Sequence, residues 1–307
     1  VAVIEVQGLR KEYRRWRRGA VRAVDGLDLE VPEGGVYGFL GPNGSGKTTT
    51  IRCLLGLVRP TSGVCRVLGA DAATSLSTVL PRVGSLVETP GLFPGLTARQ
   101  NLALLGRLNG IGQATVQRTL DRVGLAERAD DVVRGFSLGM RQRLGVGIAL
   151  LKDPALLILD EPANGLDPAG LKEVRDLLVS LGAEGRTVFV SSHLLSEVQH
   201  TCDNVAILTR GRCVAAGSVD SVLSSSHAGG MLVGLAPGDV GPALAVLARA
   251  GLKAASAGDH IRVEVDPARA ATVTRALADA GVYLSGLRPD EVDLETVFLQ
   301  LTRDAPS

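Results

Sequence analysis

The sequence has no long apolar run. Its longest, "GVGIALL" and "ALLILD", stop far short of the ~20 residues that a helix needs to cross a bilayer, so a membrane role must come through a partner. No signal peptide opens the chain. Lysine is scarce: of 33 basic residues only five are lysines, namely Lys11, Lys47, Lys152, Lys172 and Lys253. The accompanying Arg, Ala, Gly and Val bias is that of a GC-rich genome, which lowers the weight of any arginine patch. The four cysteines form no CxxC pair, and none stands at ligand spacing from a histidine. Neither a disulfide framework nor a zinc site is expected, and the thiols read as reduced, cytosolic and inert. A charge excess is also missing, since the net charge is +1, so nothing demands nucleic acid as a partner.

What remains is an ordinary globular balance, 45% hydrophobic and 21% charged over 307 residues. A chain of this size buries roughly three quarters of its unfolded surface, enough for one large domain or two modest ones. "VAVIEVQGLRKEY" alternates like a strand and runs into "RRWRRGAVR", a basic segment expected to be a solvated loop. "AVDGLDLEVPEGG" and "VYGFL" predict two more strands, the latter buried on both faces. Thr97 and Gln100 have the spacing of a capping box at a helix start. Over 112–123, Val116, Leu120 and Val123 share a helix face that stops at Gly124. From 154 onward strand and helix alternate, which predicts a parallel sheet covered by helices. The last of these segments reads as a hairpin around Arg210-Gly211. A Ser/His/Gly stretch marks a linker over 224–230, after which 231–307 predicts a small α+β domain of ferredoxin-like type.

The chemistry is concentrated in few places. "GPNGSGKT", from Gly41 through Pro42, Asn43, Gly44, Ser45 and Gly46 to Lys47 and Thr48, lies between an apolar strand and a helix. That is the context of a phosphate-binding loop. Glycines let successive backbone N–H groups converge on an anion, and the following helix adds about half a positive charge. Lys47 is placed for the β- and γ-phosphates, the Thr48 hydroxyl for Mg²⁺, and Thr49 continues the cradle. "LLILDEP" ends a buried strand with Asp160 and Glu161. Ligands of open parallel sheets bind at carboxyl ends of strands. One carboxylate there can hold Mg²⁺ and the other can orient and deprotonate a water. No asparagine is followed by lysine, so the guanine-reading N-K-x-D is missing, which argues against a small-switch GTPase.

Over residues 3 to 223 the chain resembles the ATP-binding subunit of ABC transporters. "FSLGMRQR" is similar to the signature motif, keeping Ser137 and Gly139 while Leu138 and Met140 depart from it. "ANGLD" resembles the D-loop ending in Asp167, and "SSH" brings His193 to the switch position. Tyr13 matches the aromatic that stacks on adenine, with Trp16 as its competitor. "VGSLVETPGLFPGLTARQNL" resembles the Q-loop region of the bacitracin- and lantibiotic-resistance branch of exporters, with Glu88 in place of glutamine.

The resemblance implies an α/β P-loop NTPase core over 1–223 with a helical subdomain at about 90–152. It implies ATP and Mg²⁺ as cofactors, with Thr48, Asp160 and Glu88 at the metal and Glu161 and His193 in catalysis. It further implies a peripheral ATPase on the cytoplasmic side of the membrane, two copies of which sandwich ATP, driving export through a separate permease. Two other readings stand beside it: a soluble ABC-type ATPase of DNA repair or ribosome function, and a degenerate nucleotide-binding module. The absence of coiled-coil inserts and CxxC pairs argues against the first. The presence of Lys47, Asp160, Glu161 and His193 argues against the second.

Overall fold

Continuous apolar runs have no polar face to offer water, so they must be covered on both sides. The computed structural model, which describes residues 1–15, 19–226, 230–236, 238–258, 260–290 and 293–303, covers them. It divides into two compact units, Val1–Val219 and Asp220–Ser307.

The first unit opens with β1 (Ala2–Arg15), β2 (Gly19–Pro32) and β3 (Gly35–Leu40), then α1 (Lys47–Leu54). There follow β4 (Ser62–Val67), β5 (Ala70–Asp71), β6 (Val83–Leu86), α2 (Ala98–Leu108), α3 (Gln113–Arg122) and α4 (Leu138–Leu150). Next come β7 (Leu156–Asp160), α5 (Pro168–Ala183), β8 (Thr187–Ser192), α6 (Leu195–Thr201), β9 (Asn204–Thr209) and β10 (Arg212–Ser218). A six-stranded sheet runs β10-β9-β3-β8-β7-β6, parallel except for the β9–β10 hairpin. Arg210 and Gly211 both take positive φ, as a tight two-residue hairpin turn requires. Every residue of β7 and β8 is buried. Burying each such Leu, Ile, Val or Phe is worth about 1.5–3 kcal/mol.

A second sheet, β2-β1-β4-β5, is antiparallel. Here the expected basic loop is corrected. Tyr13 pairs with Val21, Arg14 with Ala20 and Arg15 with Gly19, so the strands continue into the charged segment. Backbone pairing satisfies N–H and C=O groups whatever the side chains carry. Trp16 lies outside the described residues. The capping box is present, with Thr97 accepting from the Gln100 N–H and Gln100 accepting from the Thr97 N–H.

The unit boundary falls earlier than the 224–230 expected for a linker, and residues 224–226 close α7 (Val219–Ser226). Ser-rich segments form a helix readily when an apolar pair such as Val219 and Val222 is buried on one face, and both are buried here. The second unit contains β11 (Gly230–Gly234), α8 (Val240–Arg249), β12 (Ala254–Ala257), β13 (His260–Val263), α9 (Ala270–Asp279), β14 (Gly286–Asp290) and α10 (Leu294–Arg303). Its antiparallel order, β12-β13-β11-β14, is the ferredoxin-like arrangement. Met231, Val233, Ile261 and Val263 alternate inward onto Ala243 and Leu247 of α8 and Val273 and Leu277 of α9.

All four cysteines are free. Burial pushes the Cys53 thiol up to about 11 and Cys65 to about 12, and raises Cys202 and Cys213 as well. Such thiols are poor nucleophiles at neutral pH.

The two sheets of the first unit are tied together at Asp25 on β2. Its Oδ2 accepts from Arg212 Nε and Nη2 of β10 at 3.1 and 2.7 Å, while Arg22 Nη1 stands 3.3 Å from Oδ1. The Arg212 hydrogen bonds, followed by the charges of Arg212 and Arg22, hold the Asp25 carboxyl below its ordinary value. A group lowered on folding stabilises the native state above its unfolded pKa, about 3.9, and loses that contribution as pH falls through the folded one. Asp25→Asn should therefore lower the urea midpoint most near neutral pH. The gap to wild type should shrink progressively below about pH 4, and a gap independent of pH would count against the tie.

Candidate active site at the carboxyl edge of the sheet

The strand order β3-β8-β7-β6 sets four loops side by side. The phosphate loop follows β3, His193 follows β8, Asp160 and Glu161 close β7, and Glu88 follows β6. Gly46 caps α1 with φ 109°, and a Cβ there would lie 2.5 Å from the Ala23 carbonyl. A Cβ on Gly41 would lie equally close to the Leu208 carbonyl and to Ser45 Oγ. No other residue fits either position without moving backbone. Ser45 is 3% exposed, and its Oγ is buried without a hydrogen-bond partner.

Lys47, 5% exposed, donates to the Gly41 carbonyl at 2.6 Å and to the Pro42 carbonyl at 3.4 Å. Its Nζ also lies 3.1 Å from Glu161 Oε1, an oxygen that is buried and engaged in no hydrogen bond. The Lys47–Glu161 contact is thus an ion pair without hydrogen-bond alignment. Glu161 Oε2 stands 2.8 Å from His193 Nδ1. Glu161 takes φ 50°, one of five non-glycine residues with positive φ among the described residues, and Glu88 (φ 62°) is another. A left-handed residue at a strand end costs on the order of 1–3 kcal/mol and is found where function fixes a side chain's direction. At Glu161 the turn sends the side chain to Lys47 and His193, away from its neighbour Asp160.

Asp160 is 3% exposed and forms no ion pair among the described residues. Its Oδ1 accepts from Ser191 Oγ at 2.5 Å, and Ser191 Oγ accepts in turn from the Glu161 N–H at 2.9 Å. Ser191 was missed in the sequence. It lies in the "SSH" stretch, but only the parallel register, in which Asp160 pairs with Ser191, reveals its role.

The other expected residues lie in separate groups. Ser137 is exposed and caps α4, accepting from the Met140 N–H at 3.2 Å. Asp167 caps α5, accepting from the Gly170 N–H at 3.0 Å. These two helix starts adjoin, for a Cβ on Gly139 would meet the Gly170 Cα at 3.6 Å. Tyr13 is half-buried, with the Lys11 ammonium 5.1 Å from its ring centroid. Glu88 is paired with Arg52 of α1.

The ABC transporter family profile matches residues 24–164. The bacitracin transport ATP-binding protein BcrA of Bacillus licheniformis is 47% identical over 68% of this chain and 68% of its own. The chain belongs to the ABC transporter family. It is an ATP-binding subunit and an ATPase. The daunorubicin resistance ATP-binding protein DrrA3 of Streptomyces coeruleorubidus is 37% identical over 98% of this ABC subunit and 96% of its own length. Among solved structures, cbiO1 of Clostridium perfringens, part of the ABC transporter complex cbiONQ, superimposes with a TM-score of 0.64. It is 27% identical over 73% of this chain and 92% of that one.

The residues fit a metal–nucleotide in this ABC subunit. Ser45 Oγ is buried in the cradle without a hydrogen-bond partner, Glu161 Oε1 has the Lys47 charge beside it but no hydrogen bond, and Asp160 is a buried hard oxygen donor with no ion pair among the described residues. No cluster of three or more His, Cys, Asp or Glu side chains forms among the described residues. Mg²⁺ takes one or two protein oxygens and completes its shell from phosphates and water, and the buried Asp160 carboxylate can supply one such oxygen.

Glu161→Gln keeps the shape of the side chain but gives up the carboxylate's basicity. ATP turnover should fall about 10²–10⁴-fold while nucleotide affinity is retained. Steady-state ATPase assays beside equilibrium nucleotide binding test this, and wild-type turnover in the variant would remove Glu161 from the chemistry.

Proposed function

We propose that this ATPase energises export of a drug, peptide or lipid-like compound through a separately encoded permease, from the cytoplasmic face of the membrane. The observation that carries the proposal is Glu161 suspended between Lys47 and His193 in a chain related along nearly its whole length to a daunorubicin resistance protein. No helix among the described residues is long and apolar enough to cross a membrane, so the passage itself belongs to the partner.

Lys47 and the N–H groups of Gly44 to Thr49 hold the phosphates, and Tyr13 stacks on adenine. Thr48 and Asp160 hold Mg²⁺, which when bound neutralises phosphate charge and orders the oxygens around it. Glu161 accepts the proton of the attacking water, and His193, hydrogen-bonded to it, fixes its direction. Glu88 would supply a further oxygen to the metal. At about 4 Å and an effective dielectric near 20, each pair of unit charges is worth on the order of 4 kcal/mol. A carboxylate is therefore repelled by phosphate until Mg²⁺ is present and attracted afterwards. Glu88→Gln should raise the Mg²⁺ concentration for half-maximal ATPase and leave metal-free ATP affinity nearly unchanged.

Ser137, Gly139 and Asp167 serve the site of a second copy. Capping uses a lone pair of Ser137 Oγ, so its O–H stays available to donate to a phosphate. Mixed dimers of Ser137→Arg and Lys47→Ala chains should regain ATPase activity, because one of their two composite sites is intact. Activity no higher than in either variant alone, with exchange of chains verified, would rule out the shared site. Vesicles carrying the co-expressed permease should accumulate cargo with wild-type subunit and not with Glu161→Gln.

A further inference from the structure

Arg52 and Glu88 form an ion pair that joins α1 to the loop after β6. Arg52 sits in the last turn of α1, five residues beyond Lys47, and Glu88 is the only carboxylate paired with it among the described residues. The two approach from different elements, Arg52 from α1, which follows β3, and Glu88 from the loop after β6, 36 residues apart in the chain. Glu88 holds a left-handed backbone with φ 62°, so its direction is set by the loop and not by free rotation of the chain. Its side chain remains 60% exposed and Arg52's 36%, so the pair is solvated and open to exchange.

We propose that Arg52 is a positioning residue that parks Glu88 away from the metal–nucleotide, so that Mg–ATP must compete with a guanidinium for this carboxylate. The inference rests on the reading that Glu88 turns to Mg²⁺. A carboxylate accepts two partners, but full charge on both a guanidinium and a dication is shared at a cost to each. Exposed ion pairs shift equilibria by up to about five-fold, strong enough to set a threshold and weak enough to release. α1 begins at the loop that holds the phosphates, so Arg52 and the phosphate cradle share one helix.

The test is Mg²⁺-dependent binding of a non-hydrolysable ATP analogue, followed by calorimetry on the full chain, with Mg²⁺-dependent ATPase beside it. Arg52→Gln should lower the Mg²⁺ needed for half-saturation about two- to five-fold, and Arg52→Lys, which keeps the charge, should lower it less. Glu88→Gln should raise that concentration, and in its background Arg52→Gln should have no effect. If Arg52→Gln acts equally with Glu88 present or replaced, its charge works on the nucleotide directly and the parking role is wrong. If Glu88→Gln shifts the Mg²⁺ dependence but Arg52→Gln does not, the parking role fails while the metal reading of Glu88 stands. If Glu88→Gln shifts nothing, both fall. A merely structural Arg52 would lower the melting temperature without moving the Mg²⁺ midpoint, which also overturns the proposal.

Discussion

Glu161 touches a lysine and a histidine that follow two other strands, and the parallel register of β3, β8 and β7 is what holds the three together. A slip of one residue would turn every side chain to the opposite face. Leu40 would leave its pairing with Ser192, Asp160 would lose Ser191, and the serine bridge from Oδ1 to the Glu161 N–H would break. The register is secured by burial, since β7 and β8 are covered throughout. Stability and site geometry therefore have one source. The apolar core does not merely support the polar edge; it sets the edge's spacing.

The same economy holds at the helix starts. Ser137 and Asp167 cap α4 and α5, a role worth about 1 kcal/mol each in helix stability. Capping also points both polar side chains out of the fold at the place where the two helices meet. A serine keeps its O–H donor free while it caps, whereas an ionised aspartate has only acceptor oxygens. The adjoining pair thus offers one donor and one acceptor on a single exposed corner.

The charged pairs divide by setting. Asp25, gripped by arginines from its own strand and from β10, joins two sheets and has its carboxyl pulled down by those contacts. Glu88, 60% exposed against 10% for Asp25, is the more open carboxylate, and its pair with Arg52 joins α1 to the loop after β6. Chemically these are alike, both carboxylate on guanidinium. Solvation of the carboxylate makes one a fastener and the other exchangeable, because water screens the exposed Glu88 and competes for its hydrogen bonds.

Local patterns in the sequence sufficed for the glycine cradle, the capping box at Thr97, the helix face of Val116, Leu120 and Val123, the Arg210-Gly211 turn and the acids ending β7. Each depends on neighbours within a few residues, so it is written in order along the chain. The basic hairpin of β1 and β2 and the helix over 219–226 went unread, because pairing and burial there overrode polar composition. Ser191 and Arg52 went unread for a different cause. A serine next to a serine and an arginine in a helix carry no mark of their own. Their partners stand 31 and 36 residues away, and only the folding of parallel strands into one edge brings Ser191 to Asp160 and Arg52 to Glu88. The sequence by itself determined which groups could hold a phosphate and a metal; which of them face one another was decided by the tertiary structure, because register between distant strands is a property of the packed sheet.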